Sequence, residues 1–142
     1  MVKITKRAKG GYNMKTKDLH QIIYFKATPH DVYDALMDSK KHTKFTEAKA
    51  TISKNVGGKF TAFDDWASGE NVELVKDEKI VQTWRGADWP EGHYSTITFL
   101  LKQEGGETRL DFTQIDIPAD VYDDIEQGWI DWYWDKLKKY LL

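Results

Sequence analysis

Between residues 48 and 115 the chain repeats one pattern six times: a short stretch alternating apolar and polar residues, then a turn signal. Ile97, Phe99 and Leu101 alternate with Thr96 and Thr98, and Leu110 and Phe112 continue the period of two. Such alternation belongs to strands that bury one face and show the other to water. Strands are predicted over 48–53, 59–64, 69–75, 79–85, 94–102 and 108–115. The connections carry turn chemistry at Val56-Gly57-Gly58, Lys76-Asp77-Glu78 and Glu104-Gly105-Gly106. After Pro118 the period changes. Val121, Ile125, Trp129, Trp132, Tyr133, Leu137, Tyr140 and Leu141 fall on one wide face of a helix over 119–142. An antiparallel sheet of this size curves and must bury its concave side, and this helix is the one element long enough to cover it.

The beginning of the domain fits the same architecture. Residues 19–26 read as a further strand, with Ile22 and Tyr24 on one face and Ile23 and Phe25 on the other. Thr28-Pro29 opens a helix, threonine as N-cap and proline as first residue, with Val32, Tyr33, Leu36 and Met37 as its buried stripe. A second short helix or turn follows over 40–45. Gly128 interrupts the last helix at about 1 kcal/mol relative to alanine, which suggests a kink or a close approach to the sheet. The fold class is α+β: a curved seven-stranded antiparallel sheet, two short helices, and a long C-terminal helix gripping the concave face. Residues 18–142 form this domain. Residues 1–17, with Lys3, Lys6, Arg7, Lys9, Lys15 and Lys17 and no apolar period, are expected to be a basic, mobile arm.

Composition excludes several function classes. A chain of 142 residues is one domain's worth. Its apolar runs are too short to cross a membrane, and the start has no apolar secretory segment. With no cysteine there is no disulfide framework, thiolate metal site or cysteine nucleophile, and a cytoplasmic location is the default. Residues 1–60 carry 13 Lys and Arg against 5 Asp and Glu, and the remainder carries 8 against 18. A split of this kind can steer a charged partner, although one domain interleaves its halves and largely neutralises them. The arm lacks the aromatic interleaving of a nucleic-acid binder, so no nucleic-acid partner and no membrane are expected, and the chain is expected to be a monomer.

No catalytic constellation stands out. His20, His30, His42 and His93 are scattered, without zinc-ligand spacing, and no phosphate or dinucleotide loop is present. No catalytic residue, metal site or cofactor is therefore expected. His93 is a loop histidine expected to bond backbone. It would need Asp88 or Glu91 as an orienting partner to act as a base. Arg85 is expected to form a cross-strand ion pair with Glu70 or Glu73, and Asp64-Asp65 to mark a turn. The aromatic content, 6 Trp, 7 Tyr and 6 Phe, is the richest signal. Trp84, Trp129 and Tyr133 are core candidates. Trp66 and Trp89 lie in loop-like segments, where a large ring caps the core or lines a binding surface.

The order of elements resembles the SRPBCC (START-like, Bet v-like) superfamily. Gly57-Gly58-Lys59-Phe60, Ser68-Gly69-Glu70, Ile80-Val81 with Trp84-Arg85, Trp89-Pro90-Glu91-Gly92-His93, Gly106-Glu107-Thr108, Ile117-Pro118 and Gly128-Trp129 resemble one branch, activators of the heat-shock protein 90 ATPase, in their C-terminal domain. The resemblance implies a helix-grip fold and a non-enzymatic co-chaperone module with a heat-shock protein 90 chaperone as partner. The superfamily also implies an alternative, carriage of a small apolar ligand between helix and sheet. The expected cavity lining is Tyr24, Phe60, Trp66, Trp84, Trp89, His93, Phe99, Phe112, Trp129 and Tyr133.

Overall fold

The computed structural model describes residues 14–142. Most of the predicted basic arm lies outside the described residues. The chain runs β1 (Thr16–Phe25), α1 (Pro29–Met37), α2 (Ser39–Thr46), β2 (Thr51–Ile52), β3 (Lys59–Ala62), β4 (Ala67–Val75), β5 (Lys79–Gly86), β6 (Ser95–Glu104) and β7 (Glu107–Pro118). A C-terminal helix follows without a break: a 3₁₀ turn at Ala119–Val121, an α segment at Tyr122–Trp129, a π segment at Ile130–Trp134 and an α segment at Asp135–Tyr140. The strands form one antiparallel sheet in the order β1-β7-β6-β5-β4-β3-β2. This is the helix-grip arrangement that the strand periodicity and the final helix predicted.

Local chemistry explains the element ends. Thr28 Oγ1 accepts the Asp31 N–H at 3.1 Å and Pro29 opens α1, while Asp38 caps α2 by accepting from the Lys41 N–H at 3.0 Å. Two bulges bend the sheet. One lies between Lys17 and Leu19 opposite β7, where Asp116 takes φ 73°, and one between Asn71 and Glu73 on β4. The first strand begins at Thr16, earlier than the apolar alternation suggested. Polar residues Thr16 and Lys17 pair with Pro118 and Ile117, and the Ala119 N–H donates to the Lys15 carbonyl at 2.9 Å. Conversely, the predicted strand over 48–53 narrows to Thr51–Ile52.

The core lies between the concave face and the C-terminal helix. Phe25, Ile80, Ile97, Leu110, Phe112, Ile117 and Leu137 are almost wholly buried there. The π segment is what lets the helix commit so many rings to this side. A π turn widens the helix, so residues four and five apart share a face, and Trp129, Tyr133 and Trp134 all point inward. Trp129 stacks on Trp134 at 5.5 Å, and its ring sits 4.4 Å from that of Phe112. Gly128 makes no close approach to the sheet: a Cβ there would meet only Trp132 Cδ1, at 3.8 Å. The helix irregularity lies in the π segment, two residues beyond the glycine. Among the described residues nothing covers the outer sheet face, and Ile22 and Tyr24 are exposed on it, so Tyr24 lies on the opposite side from the core and does not line it.

Candidate functional site

Three segments converge at one end of the grip. The first is the β3–β4 connection, where Phe63, Asp64 and Asp65 take φ of 53°, 56° and 74° in succession. Left-handed backbone costs an L-residue roughly 1–2 kcal/mol, most for a bulky one such as Phe63. Reciprocal bonds hold the turn: the Asp64 N–H donates to the Lys49 carbonyl, and the Lys49 N–H to Asp64 Oδ1, both at 3.0 Å. Strain of this kind concentrates at functional sites. The turn predicted at Asp64-Asp65 is present, and it presents Phe63 and Trp66.

The second segment is the start of the β5–β6 connection. Trp66 and Trp89 close over Gly86, where an added Cβ would come within 2.6 Å of Trp66 Cζ2 and 3.0 Å of Trp89 Nε1. No side chain fits there. Trp66 Nε1 donates to Asp88 Oδ1 at 3.2 Å. Arg85 does not make the cross-strand ion pair expected of it. The register sets it opposite Ser68 while Glu73 faces Val81 and pairs with Lys79, so the guanidinium turns to its own loop. Its Nη2 donates to the Trp89 carbonyl at 2.7 Å and more weakly to that of Pro90 at 3.4 Å. His93 bonds backbone as expected, donating Nε2–H to the Asp116 carbonyl at 2.7 Å.

The third segment is the first half of the C-terminal helix, with Val121, Asp124, Ile125, Gly128, Trp129, Trp132 and Tyr133. A cleft of about 410 Å³ lies among the three, within the range of small-molecule sites. Buried Trp84, Trp89, Trp129 and Tyr133 form its floor, and exposed Trp66 and Trp132 stand at its rim. Trp84 meets Trp66 and Trp89 edge to face at 5.6 and 5.3 Å, a geometry worth about 0.5–1.5 kcal/mol per pair beyond burial. The Trp84 indole N–H has no oxygen or nitrogen partner among the described residues.

Deeper between sheet and helix, the remaining space is about 10 Å³, at or below the room one water needs. Phe60 and Phe99 border it with Trp84 and Tyr133. His42 also borders it, buried, its Nε2 2.7 Å from the Tyr133 hydroxyl. Burial pushes the His42 pKa down to about 4 and raises that of Tyr133, so both stay neutral near pH 7. A buried polar chain joins helix to sheet: Trp129 Nε1 donates to Gln114 Oε1 at 2.7 Å, Gln114 Nε2 to Ser95 Oγ at 3.0 Å, and Ser95 Oγ to the Trp84 carbonyl at 2.8 Å.

The ten predicted lining residues therefore divide. Trp66, Trp84, Trp89, Trp129 and Tyr133 meet at the cleft. Phe60 and Phe99 border the filled interior, Phe112 packs beneath Trp129, His93 lies behind the Trp89 ring, and Tyr24 is on the outer face. Within the expected space between helix and sheet, Phe99, Phe112, Trp129, Tyr133 and Trp134 pack together and leave the opening at one end. Sequence reasoning did not include Phe63, Asp88, Asp124 or Trp132 in the lining. Trp132 was legible only as part of the helix's apolar face, and nothing in the pattern of Phe63 announced its turn.

The sequence model of the family described as Activator of Hsp90 ATPase homolog 1-like protein matches residues 26–142. The human Activator of 90 kDa heat shock protein ATPase homolog 1 is 36% identical over 115 residues, covering 81% of this chain and 34% of that protein. The Dictyostelium discoideum homologue is 34% identical, covering 80% and 30%. The chain thus spans about a third of the length of these curated relatives. Among solved structures, an HSP90 activator from Plasmodium falciparum superposes with a TM-score of 0.83 at 27% identity, over 91% of this chain and 96% of that one. The solution structure of an Aha1 dimer from Colwellia psychrerythraea, at 20% identity, shares the fold with a TM-score of 0.76 over 88% and 96%. Strand order, helix grip and family match agree: this chain belongs to the Activator of Hsp90 ATPase homolog 1-like protein family.

Proposed function

We propose that this chain is a non-enzymatic docking module that binds a heat-shock protein 90 chaperone and raises its ATPase activity, acting as a monomer in the cytoplasm. The observation that carries the reading is the family match over residues 26–142, borne on an intact helix-grip fold. Relatives named as activators of that ATPase support it. The hydrogen bonds of His42 to Tyr133 and of His93 to the Asp116 carbonyl support the non-enzymatic part. Whatever charge asymmetry remains between the two halves of the sequence supports docking whose rate falls as salt is raised. Calorimetric titration of the full chain into a heat-shock protein 90 chaperone tests the reading. Saturable binding that weakens with salt is expected, and no heat at high micromolar concentration refutes it.

The cleft of about 410 Å³ favours a second reading, carriage of a small ligand with a substantial apolar surface. It is compatible with the first, since the cleft occupies one end of the grip and, among the described residues, leaves the outer sheet face exposed.

A further inference from the structure

We propose that the cleft is a site for a small organic cation: a quaternary or tertiary ammonium group carried on a hydrocarbon or aromatic body. The inference rests on the ligand reading of the cleft and is independent of chaperone docking. Seven aromatic side chains line it, Phe63, Tyr133 and five tryptophans. The negative faces of such rings attract a positive charge placed over them, tryptophan most strongly. Among the described residues, the charged lining residues are Asp88 and Asp124. Trp66 Nε1 holds the Asp88 carboxylate beside the ring at 3.2 Å, so aromatic face and counter-charge are presented together.

The surroundings have the same sign. The segments that build the cleft, 63–66, 86–92 and 119–133, contain nine Asp and Glu and no Lys, Arg or His. All nine are exposed. In a protein of net charge −2 this is a local concentration, and a concave, low-dielectric wall focuses its field on the opening. The expected cancellation between the two halves of the sequence does not extend to this end of the fold. Cationic side chains also lie close by, Lys17 Nζ among them at 5.1 Å from the Tyr122 ring centroid. Arg85 is engaged with the Trp89 carbonyl, and Lys136 Nζ sits 5.5 Å from the Trp132 ring centroid, a cation already placed over a rim aromatic.

The lining also selects among cations. A quaternary ammonium has no N–H to satisfy, which suits a floor made of aromatic rings. A primary ammonium is strongly hydrated and loses more on entering. An anion is repelled by both lining carboxylates. A neutral apolar molecule would fill the volume without using Asp88, Asp124 or the acidic rim.

The test uses the full chain and three probes of matched size: benzyltrimethylammonium, its uncharged carbon isostere neopentylbenzene, and the anion 3-phenylpropionate. Indole N–H shifts of the tryptophans report binding. The expected result is a Kd for the cation about tenfold below that of the isostere, with no measurable anion binding. The preference should shrink as salt is raised. An Asp88→Asn, Asp124→Asn double variant should lose about tenfold in cation affinity and keep its affinity for the isostere. Both residues are exposed, and asparagine still accepts the Trp66 N–H, so the fold is preserved. Equal or tighter binding of the isostere, or a double variant with unchanged selectivity, overturns the cation assignment while leaving a ligand site. Absence of binding by all three probes overturns both.

Discussion

Replacing Gln114 by methionine tests how the C-terminal helix is held on the sheet. Gln114 is fully buried in β7 and is the middle link of the chain from Trp129 through Ser95 to the Trp84 carbonyl. Methionine keeps volume and flexibility but neither accepts well nor donates, so the cavity term is small. The Trp129 indole N–H then loses its partner in a dry interior, which costs about 1–3 kcal/mol. Ser95 Oγ still donates to the Trp84 carbonyl and loses only an incoming bond, about 1 kcal/mol. The sum is about 2–4 kcal/mol. Urea unfolding followed by circular dichroism measures it as a fall in midpoint at constant slope. A double-mutant cycle with Trp129→Phe isolates the shared bond. Once the indole N–H is gone, the Gln114 substitution orphans nothing, so the double variant should lose about 1–2 kcal/mol less than the two singles together. A Gln114→Met variant within about 0.5 kcal/mol of the parent, or strictly additive singles, would refute the account of this joint.

Other outcomes follow from single contacts. His42 has a folded pKa of about 4 against 6.5 unfolded, so the unfolded chain binds more protons between those values and stability falls as pH drops through that window. Relative to a His42→Gln variant, the parent should lose about 3 kcal/mol more between pH 7 and pH 4, read by denaturant titration; parallel pH profiles would contradict the assignment. Gly69→Ala places a Cβ 1.8 Å from the Thr83 carbonyl oxygen, between paired strands that cannot part. A loss of about 3 kcal/mol or more in thermal unfolding is expected, and a near-neutral result would contradict the close approach. Gly128→Ala meets only ordinary contact, so it should leave stability unchanged or raise it by up to about 1 kcal/mol, and a marked loss would show that the helix needs the glycine. Arg85→Ala frees the Trp89 and Pro90 carbonyls, and hydrogen exchange should quicken at 86–93 with the strands unaffected; unchanged exchange would show that the loop is held otherwise.

The fold was legible because its signals are periodic and local. Alternation in β6 and β7, glycine turns, and the change to a helical period after Pro118 each require only neighbouring residues. The caps at Thr28-Pro29 were legible for the same reason. Partners set by register and ring packing were not. Arg85 was expected to pair with Glu70 or Glu73, and the bulge between Asn71 and Glu73 and the opposition of Arg85 to Ser68 decided otherwise. The site was half legible. Trp66, Trp84, Trp89, Trp129 and Tyr133 meet as expected, since tryptophans in loops and on a helix face need company. Tyr24 failed because both faces of β1 are apolar and alternation alone does not say which one the helix covers. Phe99 and Phe112 failed because a concave face reads the same whether its rings line a hollow or fill it. The π segment, which turns three large rings inward, has no mark in the sequence pattern.

Under the proposed function, this chain acts on a chaperone. Steady-state ATP hydrolysis by a heat-shock protein 90 chaperone, measured while the full chain is titrated in and with a specific inhibitor of the chaperone as the blank, addresses it directly. The account predicts a turnover rate that rises with added chain and saturates at the concentration where calorimetry shows binding complete. A rate that stays at the chaperone's own value across that range would contradict it.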